Sequence, residues 1–146
     1  MEAYKIREAY AEWIDTEQYD ITMTLNTEYG RTFEQLSTMI RHMFGGAETQ
    51  WFGYTKEGFS RRKLYINKDE FHIKRVVAIE GDNKFVQRHS HILVKNLEGV
   101  STEGMINLLR YEWLKLNKAK KNKEYLFRAE AVNEQSACTW YMTKAL

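Results

Sequence analysis

Four short segments of this chain alternate with the period of a β-strand, and two amphipathic helical segments separate them in a fixed order. Residues 19–27, YDITMTLNT, place Ile21, Met23 and Leu25 on one face and Thr22, Thr24 and Asn26 on the other. Residues 71–80, FHIKRVVAIE, and 86–95, VQRHSHILVK, read as the second and third strands. Gly81-Asp82-Asn83 between them is a turn signal, so a hairpin is the simplest join. Residues 124–132, EYLFRAEAV, supply a fourth strand.

Between the first two strands, Thr32 and Gln35 make a capping box. Phe33, Leu36, Ile40 and Met43 then recur as one apolar stripe, and Gly45-Gly46 predicts a stop or break. Residues 47–64 show no clear period, although Trp51, Phe52, Tyr54 and Phe59 predict packed chain. Between the last two strands, Ser101 caps a helix with Glu103 in its first turn and Ile106, Leu109, Trp113 and Leu116 along one side. Lys118 to Asn122 form a polar, basic link.

Residues 2–14 have helical spacing, with Tyr4, Ile6, Tyr10, Trp13 and Ile14 largely on one side; a mobile arm is the alternative. Residues 133–146 predict a closing helix with Asn133 as its cap. The middle of this order is βαββαβ, the ferredoxin-like split motif. It implies an α+β domain over residues 1–146, an antiparallel sheet with helices packed on one face.

Composition narrows the function classes. The single cysteine, Cys138, excludes a disulfide framework and a Cys-based zinc cluster. No apolar run approaches a membrane span and no signal peptide is visible, so a cytosolic protein is expected. The net charge of +2 decides little, but Arg61-Arg62-Lys63 and the lysines at 115, 118, 120, 121 and 123 form clusters that can neutralise phosphates or simply face solvent. Aromatic residues are 14% of the chain; most are expected in the core, and some could stack on bases.

The chemistry concentrates in three places. His89 and His91 are two apart on a strand and point the same way, with Ser90 and Ile92 opposite. Two imidazoles so placed can ligate a metal, or merely pack and hydrogen-bond. Glu80 ends the preceding strand and can lie beside His89 across the hairpin, as a carboxylate ligand or as an exposed strand-end acid. On the last helix Tyr141 and Lys144 are three apart and share a face. A phenol there could be activated as a nucleophile, or could pack on the sheet.

With ITMTLNT, HSHILVK and YMTK in this order, the chain resembles the HUH endonucleases, in particular the single-tyrosine replication initiator (Rep) proteins of rolling-circle replicons in viruses, phages and plasmids. The resemblance covers residues 20–144. Ser90 departs from it, since a hydrophobic residue usually separates the histidines.

The resemblance implies that Glu80, His89 and His91 hold one Mg²⁺ or Mn²⁺. It implies that Tyr141 attacks a DNA phosphate to give a 5′-phosphotyrosine, and that Lys144 positions the phenol or offsets charge. The implied partner is single-stranded DNA of a replication origin, in strand or hairpin form, in the host compartment where that DNA replicates. Thr22, Thr24, Asn26, Arg61, Arg62, Lys74, Arg75, Arg88 and Lys95 are candidate DNA contacts. The chain lacks G-x-x-x-x-G-K-[ST], so a helicase would come from a longer initiator or from another protein.

Rival readings are a metal-free nucleic-acid-binding module on the same fold and a transposase or relaxase. A two-histidine RNA phosphoesterase fails because neither His42 nor His72 begins an H-x-S/T motif, and a zinc hydrolase fails for want of H-E-x-x-H.

Overall fold

The computed structural model describes residues 3–81, 87–118 and 124–143. In order these form α1 (Ala3–Ile14), β1 (Ile21–Leu25), α2 (Phe33–Phe52), α3 (Arg61–Leu64), a 3₁₀ turn (Asp69–Phe71), β2 (Arg75–Glu80), β3 (His89–Val94), α4 (Thr102–Leu116), β4 (Phe127–Ala131) and α5 (Gln135–Met142). The strands make one antiparallel sheet in the order β2-β3-β1-β4. This is an α+β architecture compatible with a ferredoxin-like βαββαβ arrangement.

One face of the sheet carries the main core. Ile21, Met23 and Leu25 of β1 and Ile92 and Val94 of β3 meet Leu36, Ile40, Met43 and Phe44 of α2 and Met105, Leu109 and Trp113 of α4. Burying these side chains is the dominant stabilising term. Trp113 is satisfied inside this layer because its Nε1–H lies 3.0 Å from Asn26 O and 2.9 Å from Leu126 O.

The opposite face is not bare, which corrects the expectation of helices on one side only. Ile14 of α1 and Met142 of α5 pack there with Tyr19 and Leu93 in a second, smaller cluster. Helices therefore lie on both faces. Most of the stripe expected on α1 does not become core: among its described side chains Ile6, Tyr10 and Trp13 are exposed and Ile14 is buried, while the Tyr4 side chain lies outside the described residues. Most aromatics were expected inside, yet Tyr29, Phe33, Trp51, Tyr54, Phe59, Tyr111, Tyr125 and Trp140 also stay exposed.

Several boundaries differ from the sequence reading. The capping box at Thr32 and Gln35 forms as expected. The helix it starts does not stop at Gly45-Gly46 but continues to Phe52 and closes at Gly53, with φ of 68°. Gly46 allows a close approach instead. A Cβ on Gly46 would lie 2.4 Å from Oε2 of Glu112, which is buried against it from α4. Residues 71–74, expected in the second strand, hold the end of the 3₁₀ turn and an extended lead-in. The N-cap position of the last helix is Glu134 rather than Asn133, and its side chain makes no capping hydrogen bond. The 82–83 turn, most of the 118–122 link and residues 144–146 of the expected last helix fall outside the described residues.

Candidate metal centre and nucleophile

The hairpin expectation puts Glu80 beside His89, and the register does so: Glu80 is the pairing partner of His89, and Ala78 that of His91. Paired residues share a face. His91 also pairs with Thr24 of β1, so the polar face of β1 is the face that carries both histidines. It is the side of the sheet covered by α1 and α5.

Three donor atoms converge there. Glu80 Oε1 lies 2.8 Å from His89 Nε2 and 2.9 Å from His91 Nε2. All three side chains are mostly buried, with 15%, 17% and 13% exposure respectively, so the donors are shielded yet reachable. Among the described residues this is the one group of three His, Cys, Asp or Glu side chains placed to hold a metal ion.

The chemistry of the donor set suits a cation. His89 Nδ1 lies 3.0 Å from Gln87 O, a carbonyl that can only accept. Nδ1 therefore carries the ring proton. Nε2 then faces a carboxylate oxygen, which also only accepts, so a second proton or a metal ion must lie between them. Two ligands at right angles around an ion at roughly 2.1 Å would be about 3.0 Å apart, close to both Nε2–Oε1 separations. The residues fit a divalent ion.

His91 has its own outer partner. Its Nδ1 lies 3.3 Å from Thr24 Oγ1, which orients the ring in the same sense. Thr24, expected at DNA, thus sits behind a ligand. Sequence reasoning missed Gln87, whose contribution is a backbone carbonyl and leaves no side-chain signature.

Tyr141 of α5 comes to the same place. Its ring meets the His91 ring edge-on, with centroids 4.9 Å apart and planes at 83°. It is half exposed, so its hydroxyl-bearing ring is open to a ligand from solvent. Lys144 lies outside the described residues.

The other candidate DNA contacts do not gather here. Arg62 Nε donates to Glu48 Oε1 at 2.9 Å and Arg75 Nη1 to Glu48 Oε2 at 3.1 Å. Glu48 is fully buried on α2, in the layer on the far side of the sheet. Arg61 Nη1 donates to Phe52 O at 2.8 Å and Arg88 Nη1 to Arg31 O at 3.2 Å. Asn26 Nδ2 donates to Tyr125 O at 2.8 Å. Thr22, half-buried, pairs with Leu93 and Glu130.

Lys95 and Lys74 both bind the Glu17 carboxylate. Their hydrogen bonds, Lys95 first and Lys74 second, hold its carboxyl well down, to about 2. Glu17 in turn pushes the Lys74 ammonium up.

No protein-family model, no curated protein and no solved structure matches the chain. No described helix is long and apolar enough to cross a membrane.

Proposed function

We propose that this chain is a metal-dependent, sequence-directed single-strand DNA endonuclease of the HUH type, a Rep-like enzyme that nicks and rejoins an origin strand. The observation that carries the reading is the edge-on contact between Tyr141 and His91. It puts the one tyrosine of the Y-x-x-K motif against a three-donor cluster suited to a divalent ion. A pure binding module needs neither part.

Glu80, His89 and His91 would hold Mg²⁺ or Mn²⁺, and an ion bound there supplies Lewis-acid polarisation of a phosphate oxygen. The chain's own residues do the rest. Tyr141 Oη attacks the scissile phosphorus in line. As the P–Oη bond forms, the P–O3′ bond breaks and its electron pair leaves on the 3′ oxygen. The phenolic proton passes to solvent and the 3′ oxygen takes one up, leaving a free 3′-OH and a 5′-phosphotyrosine. Attack by a 3′-OH reverses the sequence and joins strands. Lys144, three residues on, has the role of offsetting charge on the phosphate.

The test incubates the protein and Mn²⁺ with a library of single-stranded oligonucleotides and looks for a denaturation-resistant adduct. The adduct should form, and both EDTA and Tyr141→Phe should abolish it. An adduct that persists with Tyr141→Phe would sink the assignment of the nucleophile. Binding without cleavage of any oligonucleotide would favour the metal-free module.

A further inference from the structure

We propose that Gln87 is a positioning residue for the ligand His89, and that Thr27 and Gly81 hold it in place. The inference rests on the reading of Glu80, His89 and His91 as a metal centre.

An imidazole ligand is only as well aimed as the partner of its other nitrogen. For His89 that partner is Gln87 O, 3.0 Å from Nδ1. The bond keeps the proton on Nδ1 and turns Nε2 toward Glu80. A backbone carbonyl, though, is fixed only if its own residue is fixed.

Two contacts fix it. Gln87 Nε2 donates to Thr27 O at 2.8 Å and lies 3.1 Å from Thr27 Oγ1. Thr27 is itself buried, and its hydroxyl donates to Tyr29 O at 2.5 Å. From the other side, Gly81 closes against the carbonyl. It follows the ligand Glu80 directly and has φ of 86°, a conformation that favours glycine. A Cβ at Gly81 would lie 2.6 Å from Gln87 O. That atom is backbone and cannot swing aside as a side-chain tip can.

The next residue repeats the tie, because Arg88 Nη1 reaches Arg31 O in the same loop. The loop after β1 and the residue after β2 thus bracket one carbonyl, and that carbonyl aims His89.

The bland alternative is a local contact between residues two apart that any residue at 87 would make. It predicts that the Gln87 side chain is irrelevant. The experiment measures Mn²⁺ affinity of the metal-stripped full chain by electron paramagnetic resonance, for wild type, Gln87→Ala, Thr27→Val and Gly81→Ala. Thermal melts check each fold.

Gln87→Ala should raise the Mn²⁺ Kd about ten- to hundredfold, and Thr27→Val should raise it less. A second readout uses the Co²⁺-loaded protein, whose ligand ring N–H groups give shifted, solvent-exchangeable proton signals. In Gln87→Ala the His89 signal should exchange faster while the His91 signal, backed by Thr24, is unchanged. If Gly81→Ala does not fold, Gln87→Ala still decides. An unchanged Kd together with unchanged exchange in Gln87→Ala overturns the positioning role alone. A wild-type protein that binds no Mn²⁺ overturns the metal centre, and the positioning role with it.

Discussion

The Tyr141 ring stands at 83° to the His91 imidazole with centroids 4.9 Å apart, so a metal-ligand candidate is itself a wall of the proposed nucleophile's seat. Phenylalanine keeps the ring and drops only the hydroxyl. Tyr141→Phe should cost no more than about 1.5 kcal/mol of stability while eliminating the covalent adduct. Tyr141→Ala should also lose the ring contact, at about 0.5–1.5 kcal/mol. Urea denaturation beside an adduct gel separates the two losses.

Ion binding to the native state alone stabilises it by mass action. Mn²⁺ at a hundred times its Kd should add about 2.7 kcal/mol to the unfolding free energy. Glu80→Gln keeps the volume and removes the charge, and it should abolish most of that gain. An equal gain in the variant would place the ion away from Glu80.

Glu48 is a buried hub. Its carboxylate takes Arg62 Nε, Arg75 Nη1 and the Ile73 backbone N–H, the last at 2.8 Å. Removing one partner of a buried pair leaves the others uncompensated. Glu48→Ala should destabilise by about 3 kcal/mol or more, measured by urea titration. A loss under about 1 kcal/mol would show that the two partly buried arginines simply return to water.

The Glu17 carboxyl is held near 2 by Lys95 and Lys74. Because its folded value is depressed, its contribution to stability is full above the ordinary carboxylate value of 4.5 and is lost as pH falls toward 2. The unfolding free energy of wild type should therefore fall more as pH drops between those values than that of Glu17→Gln. The group is exposed, so the difference should be small and shrink in high salt. A difference that survives high salt would contradict a solvent-screened pair.

The strands and the pairing of Glu80 with His89 were legible because period-2 alternation and a short hairpin nearly determine register. The long-range facts were not. Gly45-Gly46 reads locally as a stop, but Gly46 faces Glu112, on a helix that follows two strands later. Thr24 reads as a surface polar residue until β1 is seen beside β3. The cations at 62, 74, 75 and 95 read as phosphate binders because nothing local reveals Glu48 or Glu17 as their partners. Exposed rings such as Trp13 and Phe33 escape for a similar reason: apolar spacing marks a stripe, not what covers it.

β2 is an edge strand, hydrogen-bonded to β3 on one side only. A slip of one residue in its pairing would turn Glu80 onto the helical layer of α2 and α4 and leave the two histidines without their acid. A cation bound by the three donors would therefore report the register of β2. Only molecules with this edge strand in frame present all three donors, so metal occupancy would count correctly paired sheets rather than merely compact chains.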